Sequence, residues 1–417
     1  MRIWYLNHYA KAPSDGVWGR PYFLARELEA TGHEVVVVAA SDHHTRSRAI
    51  PPEQTGQVLR VDDASFYFVR TRPYRGNGLG RYLNMMDFCR GVVRLGRRAQ
   101  LGEIPKPDVI IASSAHLFVY PVAKTIARRL GVRLIFEVRD LWPLSLVEVA
   151  GVSPGHPLVW WMAQIEKDAY STTDAVVSLL PHALDHMVAR GLDRSKFHWI
   201  PNGAWAREWE GPAEPLPSEH QRVIDEVRAR GQLVVIYAGA HGPPNAMEQV
   251  LELGRVGGDP RPYHFVSIGE GASKPALEAR ARAEGLDYIT FLSRVSKGAA
   301  RQAILQADVC FIGWQDIPIY RFGISANKIF EYMMGEKPVV HCVRAGNDPV
   351  AECGGGISLL PGDPVALDAA LRRMHALSPA ERLEMGRRGR AHVLAEYEWS
   401  VLGRRYATIC EQLRSAS

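Results

Sequence analysis

The chain has 417 residues, 47% hydrophobic and 23% charged, an ordinary composition for a soluble protein and enough length for two domains. No apolar run approaches the ~18–20 residues of a membrane-spanning helix. A net charge of +5 suits acidic small molecules or an anionic membrane surface, and without zinc-finger spacing or an RNP-type aromatic motif nucleic acid is not an expected partner.

The start, Met1-Arg-Ile-Trp-Tyr-Leu-Asn7, reads as a first strand and lacks the apolar core of a signal peptide. Residues 2–6 and 34–40 read as strands around a helix from Pro21 to about Ala30, closed by Gly32. Alternation continues with strand 109–112, helix 118–130, strand 133–138, helix 157–171, strand 175–179, helix 181–190 and strand 197–200. Pro201-Asn-Gly203 breaks the rhythm, and a Pro/Glu-rich segment follows at 211–217. The pattern then restarts with strands at 233–238, 264–268, 289–291, 309–312 and 339–342 and helices at 244–256, 274–284 and 297–306. This is the βαβ rhythm of an α/β protein with two doubly wound parallel sheets. Expected boundaries are 1–205 and 206–395, with a final helical segment, 396–417, returning to the first domain. Five cysteines (89, 310, 342, 353, 410) lie far apart without C-x-x-C, so a reducing cytoplasm fits best and no metal site is expected.

Ligands of open parallel sheets bind at the carboxyl ends of strands, so the loops there carry the candidates. In Pro13-Ser-Asp-Gly-Val-Trp-Gly-Arg-Pro21, Gly19 permits close approach to a phosphate and Arg20 adds charge; a mere tight loop with an exposed arginine is the competing reading, and for Arg20 alone the favoured one. His116 follows the strand at 109–112 and is either a substrate contact or a packed loop residue. Asp140, in Glu137-Val-Arg-Asp-Leu-Trp-Pro143, orients or deprotonates an acceptor hydroxyl, or pairs with Arg139. Gly239, Gly269 and Gly271 leave room for a nucleotide after two later strands, and Arg294 and Arg321 are candidate phosphate partners or surface charges.

Between 70 and 106, nine basic residues stand against Asp87 and Glu103, with Leu79, Leu83, Met86, Val93 and Leu95 interleaved. Such a segment lies on an anionic bilayer or covers the sheet as a solvated helix.

The stretch Phe322–Pro338 combines a glycine loop, a short helix from about Ser325 and a stop at Gly335. Ser325 or Asn327 is placed to cap the helix, and Ile329, Phe330, Met333 and Met334 form its buried stripe. Free N–H groups, the helix's positive end and Lys328 favour a diphosphate. Glu331 lies roughly 4.5 Å further along and can accept both hydroxyl protons of a ribose. A solvated Lys–Glu pair on an amphipathic helix is the competing reading.

In order, these pieces resemble the retaining glycosyltransferases of family 4, which have the GT-B fold. The markers are the Gly19-Arg20 loop leading to Gly32-His-Glu-Val35, the Glu137–Pro143 box, Ile200-Pro-Asn-Gly203, Tyr237-Ala-Gly239, Ile268-Gly-Glu-Gly271, Ala307-Asp-Val309 and Asn327–Pro338. Within the group the chain is similar to bacterial enzymes that add N-acetylated aminodeoxysugars to lipid-linked surface-polysaccharide precursors. The resemblance implies a nucleotide-sugar co-substrate, UDP-linked, and no metal or other cofactor. It implies a glycan or lipid-linked acceptor and a cytoplasmic location, with peripheral contact at the membrane. It implies donor contacts from Gly19, Arg20, Gly239, Gly269, Gly271, Arg321, Gly323, Ser325, Asn327, Lys328 and Glu331, with catalytic roles for Lys328, Glu331, Arg294, Asp140 and His116. The family carries two glutamates eight positions apart; here Glu331 is the second and Gly323 stands at the first. Backbone N–H groups near Gly323–Ser325 are expected to take over some donor contacts. A nucleotide-sugar 2-epimerase and a non-catalytic nucleotide-sugar-binding protein share this fold and remain alternatives.

Overall fold

The computed structural model describes residues 1–15, 19–46, 48–76, 78–256, 258 and 260–415. The chain divides into two compact units, Met1–Asn202 with Trp399–Ser417, and Gly203–Glu398.

The first unit is built on eight strands: β1 (Arg2–Leu6), β2 (Glu34–Ala40), β3 (Val58–Val61), β4 (Ala64–Val69), β5 (Val109–Ser113), β6 (Arg133–Val138), β7 (Ala175–Ser178) and β8 (Phe197–Trp199). Their order is β3-β4-β2-β1-β5-β6-β7-β8, parallel throughout except for β3, which runs antiparallel to β4. The valines of β2 are buried along the whole run, as expected for a central parallel strand covered on both faces. The longest covering helices are α1 (Arg20–Ala30), α2 (Leu79–Gln100), α3 (Val119–Leu130) and α4 (Pro157–Thr172). The C-terminal helix, Trp399–Ser415, lies against α1, where Trp399 stacks on Phe23 at 5.1 Å between ring centroids. Gly403 makes that approach possible, since a Cβ there would sit 2.3 Å from the Cβ of Glu27.

The hairpin of β3 and β4 escapes the sequence reading: β3 is a short, half-exposed edge strand, while β4 is largely buried and its Phe-Tyr-Phe-Val run is a strand signal left unread. The basic stretch folds as α2 and covers the sheet with Phe88, Cys89, Val92 and Leu95 buried, while Leu79 and Val93 point outward.

The second unit carries six strands, β9 (Leu233–Ala238), β10 (Tyr263–Ile268), β11 (Ile289–Leu292), β12 (Val309–Gly313), β13 (Val339–Cys342) and β14 (Gly356–Leu359), all parallel in the order β11-β10-β9-β12-β13-β14. Helices include α5 (Ser218–Ala229), α6 (Lys274–Ala283), α7 (Lys297–Gln306), α8 (Asn327–Met334), α9 (Pro364–Ala376) and α10 (Pro379–His392). The single helix expected at 244–256 is instead three short pieces, because Pro243 and Pro244 remove donors and Ala246 takes a left-handed φ of 43°. Each sheet reverses its winding once, between β1 and β5 in the first unit and between β9 and β12 in the second. Such reversal points open a crevice at the strand ends.

One buried ion pair ties the first sheet to α1. Arg20 Nε donates to Glu137 Oε2 at 2.7 Å with both side chains almost wholly enclosed, and Arg20 Nη1 donates to the Pro201 carbonyl at 2.6 Å. The other Glu137 oxygen accepts from the Tyr5 hydroxyl at 2.7 Å and from Ser113 Oγ at 2.8 Å. The expectation that Arg20 offers charge to a donor phosphate is therefore corrected: its guanidinium is spent on a carboxylate beneath the sheet's end. Burial alone pushes the Glu137 carboxyl up; Arg20 and the Tyr5 hydroxyl outweigh it and leave it below the ordinary range.

Removing either partner strands a buried charge, so Glu137→Gln or Arg20→Met should each cost about 3–5 kcal/mol in denaturant unfolding. Because the folded carboxyl titrates below its unfolded value of about 4.3, its stabilisation is present above that pH and lost as pH falls through the folded value. Wild-type stability should fall more steeply than that of Glu137→Gln as pH drops below about 5.

Candidate functional site

At the reversal point of the second sheet, β9 ends in the loop Gly239-Ala-His-Gly242 and α8 follows the loop that leaves the neighbouring β12. Lys328, in the first turn of α8, reaches across this point. Its Nζ donates to the Tyr237 hydroxyl at 2.8 Å and to Asn245 Oδ1 at 2.8 Å, and lies 4.2 Å from the Tyr237 ring centroid. Gly239 makes room for it, since a Cβ there would stand 2.7 Å from both Cε and Nζ of Lys328. None of these partners is an anion. Burial accordingly lowers the Lys328 amine to about 7, with Glu331 pulling the other way.

The other loop glycines do different work. Gly269 has φ 152°, and a Cβ on it would lie 1.8 Å from the Gly239 carbonyl oxygen; one on Gly271 would lie 2.3 Å from the His241 carbonyl oxygen. The space left by their missing side chains is filled by the β9 loop, so the loops after β9 and β10 pack as one body. His241 is buried between them, with its ring joined to Ser267 Oγ at 2.6 Å.

The entry to α8 departs from expectation in two ways. Neither Ser325 nor Asn327 caps the helix; the cap position falls to Ala326, which has no side-chain acceptor. The first-turn N–H groups are left without a side-chain cap, and the positive end of the helix is correspondingly undamped. Further upstream, two of the N–H groups expected to meet a donor are already engaged. Gly323 N–H donates to the Tyr320 carbonyl at 2.9 Å and Ile324 N–H to Asn347 Oδ1 at 2.7 Å. Asn347 Nδ2 donates back to the Ile324 carbonyl at 3.2 Å, so this side chain acts as a clamp on the loop. Gly323 takes φ 112° and ψ 173°, a conformation that penalises any side chain, which is a physical reason for glycine where the family pattern has glutamate.

Glu331, one turn into α8, is partly buried, and burial raises its carboxyl. Among the described residues none donates a hydrogen bond to it; Lys297, whose charge lowers it more than that of Lys328, pairs with Glu208 at 2.6 Å. Arg294 and Arg321 are both exposed, and Arg321 lies over the ring of its neighbour Phe322 at 4.3 Å.

In the first unit, Gly19 is the N-cap of α1, while Gly16, Val17 and Trp18 of the same predicted loop lie outside the described residues. His116 is 5% exposed after β5, its Nε2 3.1 Å from His8 Nδ1. Asp140 is exposed beyond β6 and its carbonyl accepts from Trp142 N–H at 3.0 Å. Sequence reasoning missed Asn245, Asn347, His8 and Asn84; each is one polar residue without a motif, and only the strand order brings it to its partner.

A buried amine carries a stability cost. Between about pH 7 and about pH 10.4 the unfolded chain holds a proton that folded Lys328 has released, so this residue's contribution to stability rises with pH. Lys328→Met should therefore raise the melting temperature near neutral pH, with the gain shrinking as pH approaches about 10.

Residues 15–203 match the family model described as "Glycosyl transferase 4-like domain". No curated protein matches the chain by sequence. Solved structures similar in fold include HepE of Anabaena in complex with UDP, at 13% identity and a TM-score of 0.70, covering 99% of this chain and 100% of that one. Sucrose-phosphate synthase of Thermosynechococcus elongatus matches at 17% identity and a TM-score of 0.69, with 100% of both chains covered. WaaG, described as a glycosyltransferase involved in lipopolysaccharide biosynthesis, matches at 13% identity and a TM-score of 0.64 over 98% of this chain and 99% of that one. By sequence over residues 15–203, and by its GT-B fold throughout, the chain is similar to glycosyltransferases.

Proposed function

We propose that the protein is a retaining, metal-independent glycosyltransferase that takes a sugar, of the N-acetylated aminodeoxy type, from a UDP-linked donor. The acceptor is a hydroxyl of a lipid-linked or other glycan in surface-polysaccharide synthesis. The observation that carries this reading is Lys328: an amine lowered to about 7, placed at the sheet's reversal point beside an uncapped helix start, with Glu331 one turn on. The description of HepE as bound to UDP supports the choice of base.

In this reading the diphosphate sits at the start of α8, where the helix end and Lys328 offset the negative charge that grows as the sugar departs. Glu331, to which none of the described residues donates, accepts the ribose hydroxyls. Arg294, at the end of β11, and Arg321, ahead of α8, add charge to the diphosphate. His116 and Asp140, at strand ends of the first unit, are assigned to the sugar and the acceptor hydroxyl.

The described helices include none long and apolar enough to cross a membrane. The first unit nevertheless presents an exposed aromatic strip. Trp160 and Trp161 of α4 are 64% and 42% exposed, and ring contacts of 4.9 Å from Trp161 to Phe118 and 5.8 Å from Phe118 to Tyr82 run on to α2. With the arginines of α2, this surface suits peripheral contact with an anionic bilayer at the cytoplasmic face, since tryptophan favours the interface and arginine the headgroups.

A diphosphate beside Lys328 should raise its pKa again. UDP binding near pH 7.5 should therefore take up protons, seen by calorimetry in buffers of different ionisation heat, and Lys328→Met should abolish the uptake and weaken binding at least about tenfold. Incubation with UDP-sugar should release UDP faster when acceptor extract is added. Interconversion of the donor sugar with little UDP release would mark an epimerase instead, and binding with no turnover a non-catalytic protein. Binding to anionic vesicles, in preference to neutral ones, should drop severalfold in Trp160→Ser/Trp161→Ser; equal binding by both proteins would remove the membrane assignment.

A further inference from the structure

The reversal point of the first sheet lies between β1 and β5, and the loops leaving those two strands carry His8 and His116. Their protonation is decided by a third residue, Asn84 of α2, which is fully buried. Its Nδ2 donates to the Asp42 carbonyl at 3.0 Å and the Arg72 carbonyl at 2.6 Å. Those two carbonyls settle which end of the amide is nitrogen, because the flipped amide would set oxygen against oxygen. Asn84 Oδ1 therefore faces His8 Nε2, at 2.7 Å.

An amide oxygen only accepts, so His8 carries its hydrogen on Nε2. Burial, with His116 and His43 nearby, holds His8 well below its ordinary pKa and thus neutral, which leaves Nδ1 bare. That bare nitrogen is 3.1 Å from His116 Nε2, which must then be the donor. Burial, and then Arg81, lower His116 to about 3, so it too is neutral and its Nδ1 is a bare lone pair. This nitrogen is enclosed, and among the described residues it has no hydrogen-bond partner. A buried acceptor left unmet costs stability, and at the reversal point of a parallel sheet a ligand is the natural donor.

We propose that Asn84 and His8 are positioning residues that lock His116 in its Nε2–H tautomer, so that its bare Nδ1 accepts a hydrogen bond from a hydroxyl of a bound sugar. The inference rests on the glycosyl-transfer reading for the identity of the ligand, and on the hydrogen-bond geometry, with burial keeping both rings neutral, for the tautomer. The opposite tautomer would present an N–H and select an ether or carbonyl oxygen, so the relay sets which chemical group is read at this position. Tyr9 and His43 border the same pocket of rings, with centroids 4.6 Å and 6.3 Å from His8.

The test is histidine 15N NMR on the full chain at about pH 7.5, where an imidazole of ordinary pKa is already neutral. His8 and His116 should both show hydrogen on Nε2, and in Asn84→Leu, which removes the anchoring acceptor, His116 should become a mixture of tautomers. In UDP release from UDP-N-acetylglucosamine, Asn84→Leu should lower kcat/KM about tenfold, the loss of one hydrogen bond. His116→Asn, whose amide reaches the place of Nδ1, should retain severalfold more activity than His116→Gln, whose amide reaches the place of Nε2. This second pair keeps the proposal decidable if Asn84→Leu fails to fold. Hydrogen on His116 Nδ1, or equal and undiminished activity of both His116 variants, would overturn it. A chain that bound neither UDP nor UDP-N-acetylglucosamine would sink the glycosyl-transfer reading instead, while the tautomer measurement would still decide the lock.

Discussion

The second unit is organised around an amine whose hydrogen-bond partners are both neutral. Tyr237 and Asn245 satisfy Lys328 without supplying charge, and burial then brings it to about 7, where its protonation answers to whatever enters the site. The rest of the region follows from keeping that arrangement. Gly239 leaves the space into which the end of the Lys328 side chain reaches, Gly269 must lack a side chain because the Gly239 carbonyl lies there, and α8 must begin without a cap for its end to remain electrically useful. An acidic residue opposite Lys328 would stabilise the empty fold and weaken the response to an anionic ligand. This is the familiar opposition between stability and function, localised to one side chain.

The first unit solves a similar problem with deeper polar groups. Under its reversal point, Asn7, Ser113, Tyr5, Glu137 and Arg20 form one connected network in which nearly every oxygen finds a donor. Such a network rigidifies the floor on which the strand-end loops stand. Above it the histidines are held neutral by burial, so the two units present chemically distinct surfaces at equivalent positions in their sheets: a titrating cation in one, uncharged acceptors in the other.

Much of the fold was legible from hydrophobic period and punctuation, and the reasons are local. Val-rich runs such as 35–38, and helix stops such as Gly32 at φ 83° and Gly131 at φ 63°, announce themselves within a few residues. The misses are where local rules do not reach: the half-exposed edge strand β3, the broken segment after β9, and the helix start at Ala326. For the site, Lys328 and Glu331 were readable because one helical turn relates them. Arg20 was misjudged because its partner is 117 residues away and only the sheet brings Glu137 beneath it. Asn84 and Asn347 left no trace in the sequence, since a side-chain amide that bonds backbone carbonyl or N–H groups has no motif.

Asn347 has a wider consequence. It belongs to the segment after β13, yet it holds both polar backbone groups of Ile324 and, through them, the contour of the chain entering α8. Its neighbour Asp348 is fastened in turn to His341, which accepts from the Trp314 indole. Drift in this stretch would therefore be felt as a shifted entry to α8, giving the lineage a tuning dial for that helix end that leaves the chemical groups themselves untouched.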